Sequence, residues 1–130
     1  MAQADRPLSP HLQIYTLSLT FLMSGFHRVT GFVLYFGMLI PAVWLLAAAA
    51  GPEWYAFVNG LLGTILGRLV LFGYTWGLIH HMLGGIRHLI WDTGRGFDLV
   101  SIEWLARATI TGSVVLTAAI WLAAFALGVL

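Results

Sequence analysis

The sequence contains no cysteine and no lysine, and its 130 residues carry only 6 basic side chains, all arginine, against 5 acidic ones. Without cysteine, disulfides, thiolate metal sites and cysteine-ligated iron–sulfur clusters are excluded within the chain. A water-soluble domain carries charge on roughly a quarter of its residues. Here charged residues make up 8% and hydrophobic ones 60%, with a mean hydropathy of +0.91. Such a chain cannot cover a water-facing exterior, so membrane lipid is the expected solvent for one small domain, 1–130. A formal net charge of +1 offers no basic surface for nucleic acid. The opening "MAQADRPLSP" lacks the apolar core of a secretory signal and, with Asp5, does not read as a transit peptide. Insertion through the chain's own spans is expected, and a bacterial cytoplasmic membrane suits that best.

What the sequence has instead is long uncharged runs. Val29 to Pro52 has no formal charge, Arg68 and Arg87 bracket a second run, and Ala108 to Leu130 is a third. A spanning helix needs about 20 apolar residues, so the pattern predicts an all-α membrane protein with three transmembrane helices. They are expected at about 25–50, 58–92 and 103–129, after a cytoplasmic or interfacial segment, 1–23, stiffened by Pro7 and Pro10. Gly51–Pro52 reads as a helix stop, and Ser101 as an N-cap ahead of Glu103. Arg6, Arg28, Arg87, Arg95 and Arg107 fall at one membrane face, whereas the first loop offers only Glu53 and Arg68 snorkels from within helix 2. Basic residues favour the cytoplasmic side, which puts the N-terminus in the cytoplasm and the C-terminus in the periplasm.

Two polar constellations interrupt these runs. In "HHMLGGIRHLIWD", His80 to Asp92, a helical rise of 1.5 Å per residue puts His81 about 20 Å from Arg68 and about 9 Å from Arg87. His81 and His88, seven apart, share a helix face with Gly77, Gly84 and Gly85 on or beside it. His80 points roughly 100° away and His88 lies near the interface, so neither is expected to be a ligand. Two readings of His81 stand side by side. It hydrogen-bonds a neighbouring helix, or it is an axial ligand of haem iron in a pocket that glycines keep open for a flat macrocycle. In "SGFHRVTG", Ser24, His27 and Arg28 recur at i, i+3 and i+4 and are expected on one face. They suit a quinone head group or haem propionates. They equally suit an arginine anchored among lipid headgroups with Ser24 as N-cap.

Together, "RPLSPHLQIY", "SGFHRVTG" and "HMLGGIRHLIWDTG" resemble the cytochrome b membrane-anchor subunit of succinate dehydrogenase, in its alphaproteobacterial and mitochondrial branch. The resemblance covers the whole chain. It implies that His81 is the haem b iron ligand, with the second axial histidine supplied by a small partner anchor subunit that packs against this one. It further implies that Ser24 and Arg28 bind ubiquinone, and that His27 and Arg28 lie by the haem propionates. The flavoprotein and iron–sulfur subunits would be the remaining partners, and the tyrosine and tryptophan that complete the quinone pocket would come from other chains. For Asp92 the resemblance leaves only a polar or ion-pair role at the interface.

Two rival classes stand beside that reading. One is a purely structural anchor for a peripheral redox enzyme, with no haem and His81 merely packing. The other is a small transporter with a histidine relay, which calls for polar groups across the whole bilayer. Apart from Arg68, they gather at one side.

Overall fold

A computed structural model describes residues 16–129; the segment 1–15, which holds Arg6 and the opening motif, lies outside the described residues. Five helices follow one another: α1 (Leu19–Gly37), α2 (Leu39–Ala50), α3 (Pro52–Leu62), α4 (Ile65–Asp92) and α5 (Leu99–Ala126). No strand occurs among the described residues. Three stretches are long and apolar enough to cross a membrane: Leu19–Ala50, which joins α1 to α2, then Ile65–Asp92 and Leu99–Ala126.

Each boundary has a local cause. α1 begins six residues before the expected start at about 25, because the Ser18 hydroxyl accepts from the Phe21 N–H at 3.3 Å and caps the helix. Ser24 is therefore inside α1 and is not its cap. The one-residue interruption at Met38 precedes Pro41, which lacks the N–H that would bond the Gly37 carbonyl. Gly51, at φ 124°, ends α2, and Pro52 opens α3 at a position where no N–H is needed.

The second span is shorter at its start than the uncharged run implied. Thr64 caps α4 by accepting from the Gly67 N–H at 3.1 Å, so 58–62 belong to α3 and Arg68 sits in the first turn of α4. Gly67 is required there, since a Cβ would run into the carbonyl oxygen of Leu61. At the other end, the turn into α5 places Gly94 and Gly96 at φ 76° and 75°, and the Trp91 indole donates to the Gly96 carbonyl at 3.0 Å. The cap of α5 is Asp98, which accepts from the Ser101 N–H at 2.9 Å. Ser101 thus lies within the helix. Hydrogen bonding by Ser101, first through its side chain and then through its backbone N–H, holds the Asp98 carboxyl below its ordinary range.

The interior is polar and the exterior apolar. Alongside Met23, Ile79, Ala47 and Ala106, the buried residues are Thr30, His80, Arg87, Thr109, Ser113 and Thr117, while phenylalanines, leucines and valines face outward. The buried hydroxyls satisfy themselves on their own helices. Thr109 donates to Leu105 O at 2.8 Å, Ser113 to Ile110 O at 2.8 Å and Thr117 to Ser113 O at 2.7 Å. With no hydrophobic drive between helices in lipid, small side chains let backbones approach and supply packing instead. α1 and α5 both run antiparallel to α4, as His27 against His88 and Gly37 against Tyr74 show on one side. Ser113 against His80 and Trp121 against Phe72 show it on the other.

Candidate haem and quinone site

The histidine cluster forms where α1 crosses α4. The His27 and His81 rings stack with centroids 4.0 Å apart and planes 4° from parallel, and His88 lies 5.1 Å from His27 on its other side. His81 Nδ1 is 3.1 Å from the His27 carbonyl oxygen and 3.3 Å from Thr30 Oγ1. A carbonyl oxygen only accepts, so Nδ1 carries the proton. The Thr30 hydroxyl spends its own hydrogen on the Phe26 carbonyl, at 2.7 Å, and offers His81 a lone pair. Nε2 of His81 is left as an unprotonated lone pair with no hydrogen bond among the described residues. That tautomer is the one a metal-ligating histidine needs, with its other nitrogen tied to a carbonyl.

Glycine makes the crossing possible at two points. A Cβ on Gly31 would lie 2.9 Å from His81 Cε1, and one on Gly84 would lie 2.5 Å from His27 Nδ1. Neither Gly31 nor Thr30 was singled out from the sequence. The "HRVTG" spacing holds the signal, since residues 27, 30 and 31 share one helical face. By contrast, a Cβ at Gly77 or Gly85, four residues to either side of His81, would meet no atom within 4 Å. The surface along His81 therefore has room for a flat group.

His80 is placed differently. It is 2% exposed, with Trp76 stacked on its ring at 5.2 Å and Phe26 edge-on at 6.1 Å. The Ser113 hydroxyl donates to Ile110 O, so His80 Nδ1–H donates to Ser113 Oγ at 3.3 Å. Its Nε2 is sealed inside the bundle without a partner. His81 is half-buried at the bundle surface. A group approaching from outside the bundle would meet His81 and not His80.

The expectation that Ser24, His27 and Arg28 share a face divides in the structure. His27 turns inward to the stack, whereas Ser24 and Arg28 are exposed on the outer side of α1. Adjacent helical residues point about 100° apart, which separates His27 from Arg28. Arg87, near the same end of α4, is covered by its neighbours. It is 4% exposed, and its guanidinium sits 5.1 Å above the Trp91 ring. A desolvated cation over an indole face is stabilised by roughly 2 kcal/mol. Asp92 is exposed; among the described residues the ion pair formed is that of Arg107 with Glu103 at 2.6 Å.

The residues present fit a haem. The fit rests on the donor tautomer of His81, the open flank along Gly77 and Gly85, and a buried arginine with no carboxylate paired to it.

Comparison with known proteins places the chain among membrane subunits of one redox enzyme family. A family model described as succinate dehydrogenase/fumarate reductase transmembrane subunit matches residues 2–124. The succinate dehydrogenase cytochrome b556 subunit of Paracoccus denitrificans is 40% identical over 114 residues, covering 88% of each chain. That of Rickettsia felis is 36% identical over 116 residues, 89% of this chain and 90% of the relative. The mitochondrial cytochrome b560 subunit of Mus musculus is 37% identical over 116 residues, 88% of this chain and 68% of the relative.

Proposed function

The chain belongs to the succinate dehydrogenase/fumarate reductase transmembrane subunit family, and on that premise we propose that it anchors succinate dehydrogenase in the bacterial inner membrane, holding haem b and one wall of the ubiquinone site. The names of its relatives make it a cytochrome b subunit of the alphaproteobacterial and mitochondrial-like branch. The flavoprotein and iron–sulfur subunits are its soluble partners. A second small anchor would pack against it and contribute the other histidine that holds the haem. The N-terminus and the turn between α4 and α5 face the cytoplasm.

One observation carries the haem assignment: the His27 carbonyl fixes the proton of His81 on Nδ1 and leaves Nε2 to bind iron. Haem bound there supplies a one-electron store beside the quinone site. Thr30 and Gly31 hold the His81 ring in position, and the stacked His27 closes one side of it. His27 and Arg28 would hold the haem propionates.

Ser24 and Arg28 face away from this chain's own bundle, as residues that complete a pocket with other subunits must. The Ser24 hydroxyl donates to a quinone oxygen. The Arg28 guanidinium, always protonated, offsets the negative charge that builds on that oxygen during reduction. Succinate loses two electrons at the flavoprotein; they cross the iron–sulfur subunit, and ubiquinone takes both with two protons to become the quinol.

The test is a reduced-minus-oxidised spectrum of the assembled complex. His81→Ala abolishes or strongly weakens the b-type band, while His80→Ala keeps it. The reverse pattern would show that iron binds the other histidine. A fully assembled native complex without any such band would reduce the chain to a structural anchor.

A further inference from the structure

At the opposite end of the bundle, α2, α3 and the start of α4 enclose a cleft of about 600 Å³ that the redox chemistry leaves unused. It is some 20 Å along α4 from His81, counting 1.5 Å per residue from Arg68. Its polar groups are Arg68, Asn59, Tyr55 and Tyr74, with Trp44 beside them and, among the described residues, no carboxylate in the lining. The Trp44 indole donates to Asn59 Oδ1 at 3.0 Å, which orients the amide and leaves its NH₂ as the free end. Arg68 makes no ion pair among the described residues. The site therefore presents a guanidinium, an amide NH₂ and two phenol hydroxyls, with no negative charge from the described residues to answer them. Below them the walls are apolar, from Ile40, Pro41, Leu62 and Leu71.

Position adds to chemistry. Arg68 is in the first turn of a spanning helix, so its cation lies near the level where headgroups meet hydrocarbon. Trp44 and Tyr55, rings 5.7 Å apart, are the amphipathic aromatics expected at that level. A donor-rich pocket that opens onto an apolar groove at the membrane surface matches a phosphodiester joined to an acyl chain.

We propose that this cleft is a binding site for one anionic phospholipid, its phosphate on Arg68 and the Asn59 amide and an acyl chain along Ile40 and Leu71. The occupant is anionic because the lining carries an unanswered positive charge; a zwitterionic headgroup would bring its own cation to a site that already has one. Arginine meets phosphate through two parallel hydrogen bonds, which fixes the headgroup more firmly than a diffuse surface attraction does.

The test uses the assembled complex, delipidated in mild detergent, then equilibrated with mixed phosphatidylcholine and phosphatidylglycerol vesicles and examined by native mass spectrometry. The unaltered complex should retain phosphatidylglycerol in preference to phosphatidylcholine, and inorganic phosphate should not displace it. Equal retention of the two lipids, or displacement by phosphate alone, overturns the proposal. Arg68→Gln should lower phosphatidylglycerol retention about tenfold, the value of a charge-assisted hydrogen bond, with the b-type band unchanged. Leu71→Trp, which fills the groove and spares the charge, should lower it as well. Arg107→Gln, an exposed arginine at the other end of the bundle, should leave it intact. Retention that survives Arg68→Gln, or that falls equally with Arg107→Gln, refutes a dedicated site.

Discussion

Replacing Gly31 with alanine sets two effects of known size against each other. Alanine is favoured over glycine in a helix interior by about 1 kcal/mol, so α1 by itself gains. The new methyl, however, would lie 2.9 Å from His81 Cε1, 3.5 Å from Nδ1 and 3.8 Å from Nε2. Ordinary contact begins near 3.4 Å, so the imidazole must retreat by about 0.5 Å, the difference between 3.4 and 2.9. It has little freedom to do so. His27 is stacked on it at 4.0 Å, and Nδ1 is held at 3.1 Å from the His27 carbonyl. Overpacking of this kind costs about 1–3 kcal/mol, enough to cancel the propensity gain. The strain falls on the ring whose Nε2 is proposed to meet iron. At 1.4 kcal/mol per decade, haem should bind about 5- to 150-fold more weakly, while assembly of the complex changes little. The assay is haem content per assembled complex, by difference spectrum against total protein, with Gly73→Ala as the control because no atom lies within 4 Å of its Cβ. Full haem occupancy and an unshifted band in Gly31→Ala would refute the placement of iron at His81.

Arg28→Ala should depress ubiquinone reduction by about tenfold or more, the value of one charge-assisted hydrogen bond, and leave succinate oxidation with a soluble artificial acceptor unchanged; equal loss in both assays marks failed assembly instead. Gly84→Ala should disturb His27 first, since its Cβ would meet His27 Nδ1 at 2.5 Å. It should therefore perturb the haem environment, read as a shifted band or midpoint potential, with less loss of haem than Gly31→Ala; unchanged spectra would place the propionates elsewhere. Asp98 gives a pH signature. Its carboxyl titrates below the ordinary value of 3.8 when folded, so the cap supports α5 fully above that value and is lost as pH falls through the lower, folded one. Asp98→Asn should remove that acid-side dependence from thermal melting curves, and an unchanged curve would show that the cap bond is not made in the membrane.

What could be read from the sequence was whatever lies on one helix. Three spans follow from run length and charge alone, because lipid forces each segment to satisfy its own backbone. The periodicity of α4 likewise separates His81 from His80 before any neighbour is known. Helix ends were harder to place. A run without charges continues from 54 to 67, and only the cap at Thr64 and the close approach at Gly67 show that it is two helices. At α5 the expected cap is Ser101, and the hydrogen bond from the Ser101 N–H to the Asp98 carboxylate gives that place to Asp98.

Pairing between helices was not legible, for a physical reason. In a soluble bundle an apolar stripe marks the inner face, but here lipid-facing and buried positions do not differ in that way. The buried stripe of α5 is Ala106, Thr109, Ser113 and Thr117, more polar than the phenylalanines and leucines outside it. With that stripe as a guide, the inner face of α1 is the one carrying Met23, His27, Thr30 and Gly31. Ser24 and Arg28 then fall outside, on a face with no partner in this chain. A hydroxyl and a guanidinium exposed toward lipid would be costly, which supports the proposal that other subunits cover that face. His27, stacked on the proposed haem ligand His81 of α4, and the proposed quinone residues Ser24 and Arg28 thus lie on different sides of α1, and a single turn of that helix separates the proposed iron site from its proposed electron partner.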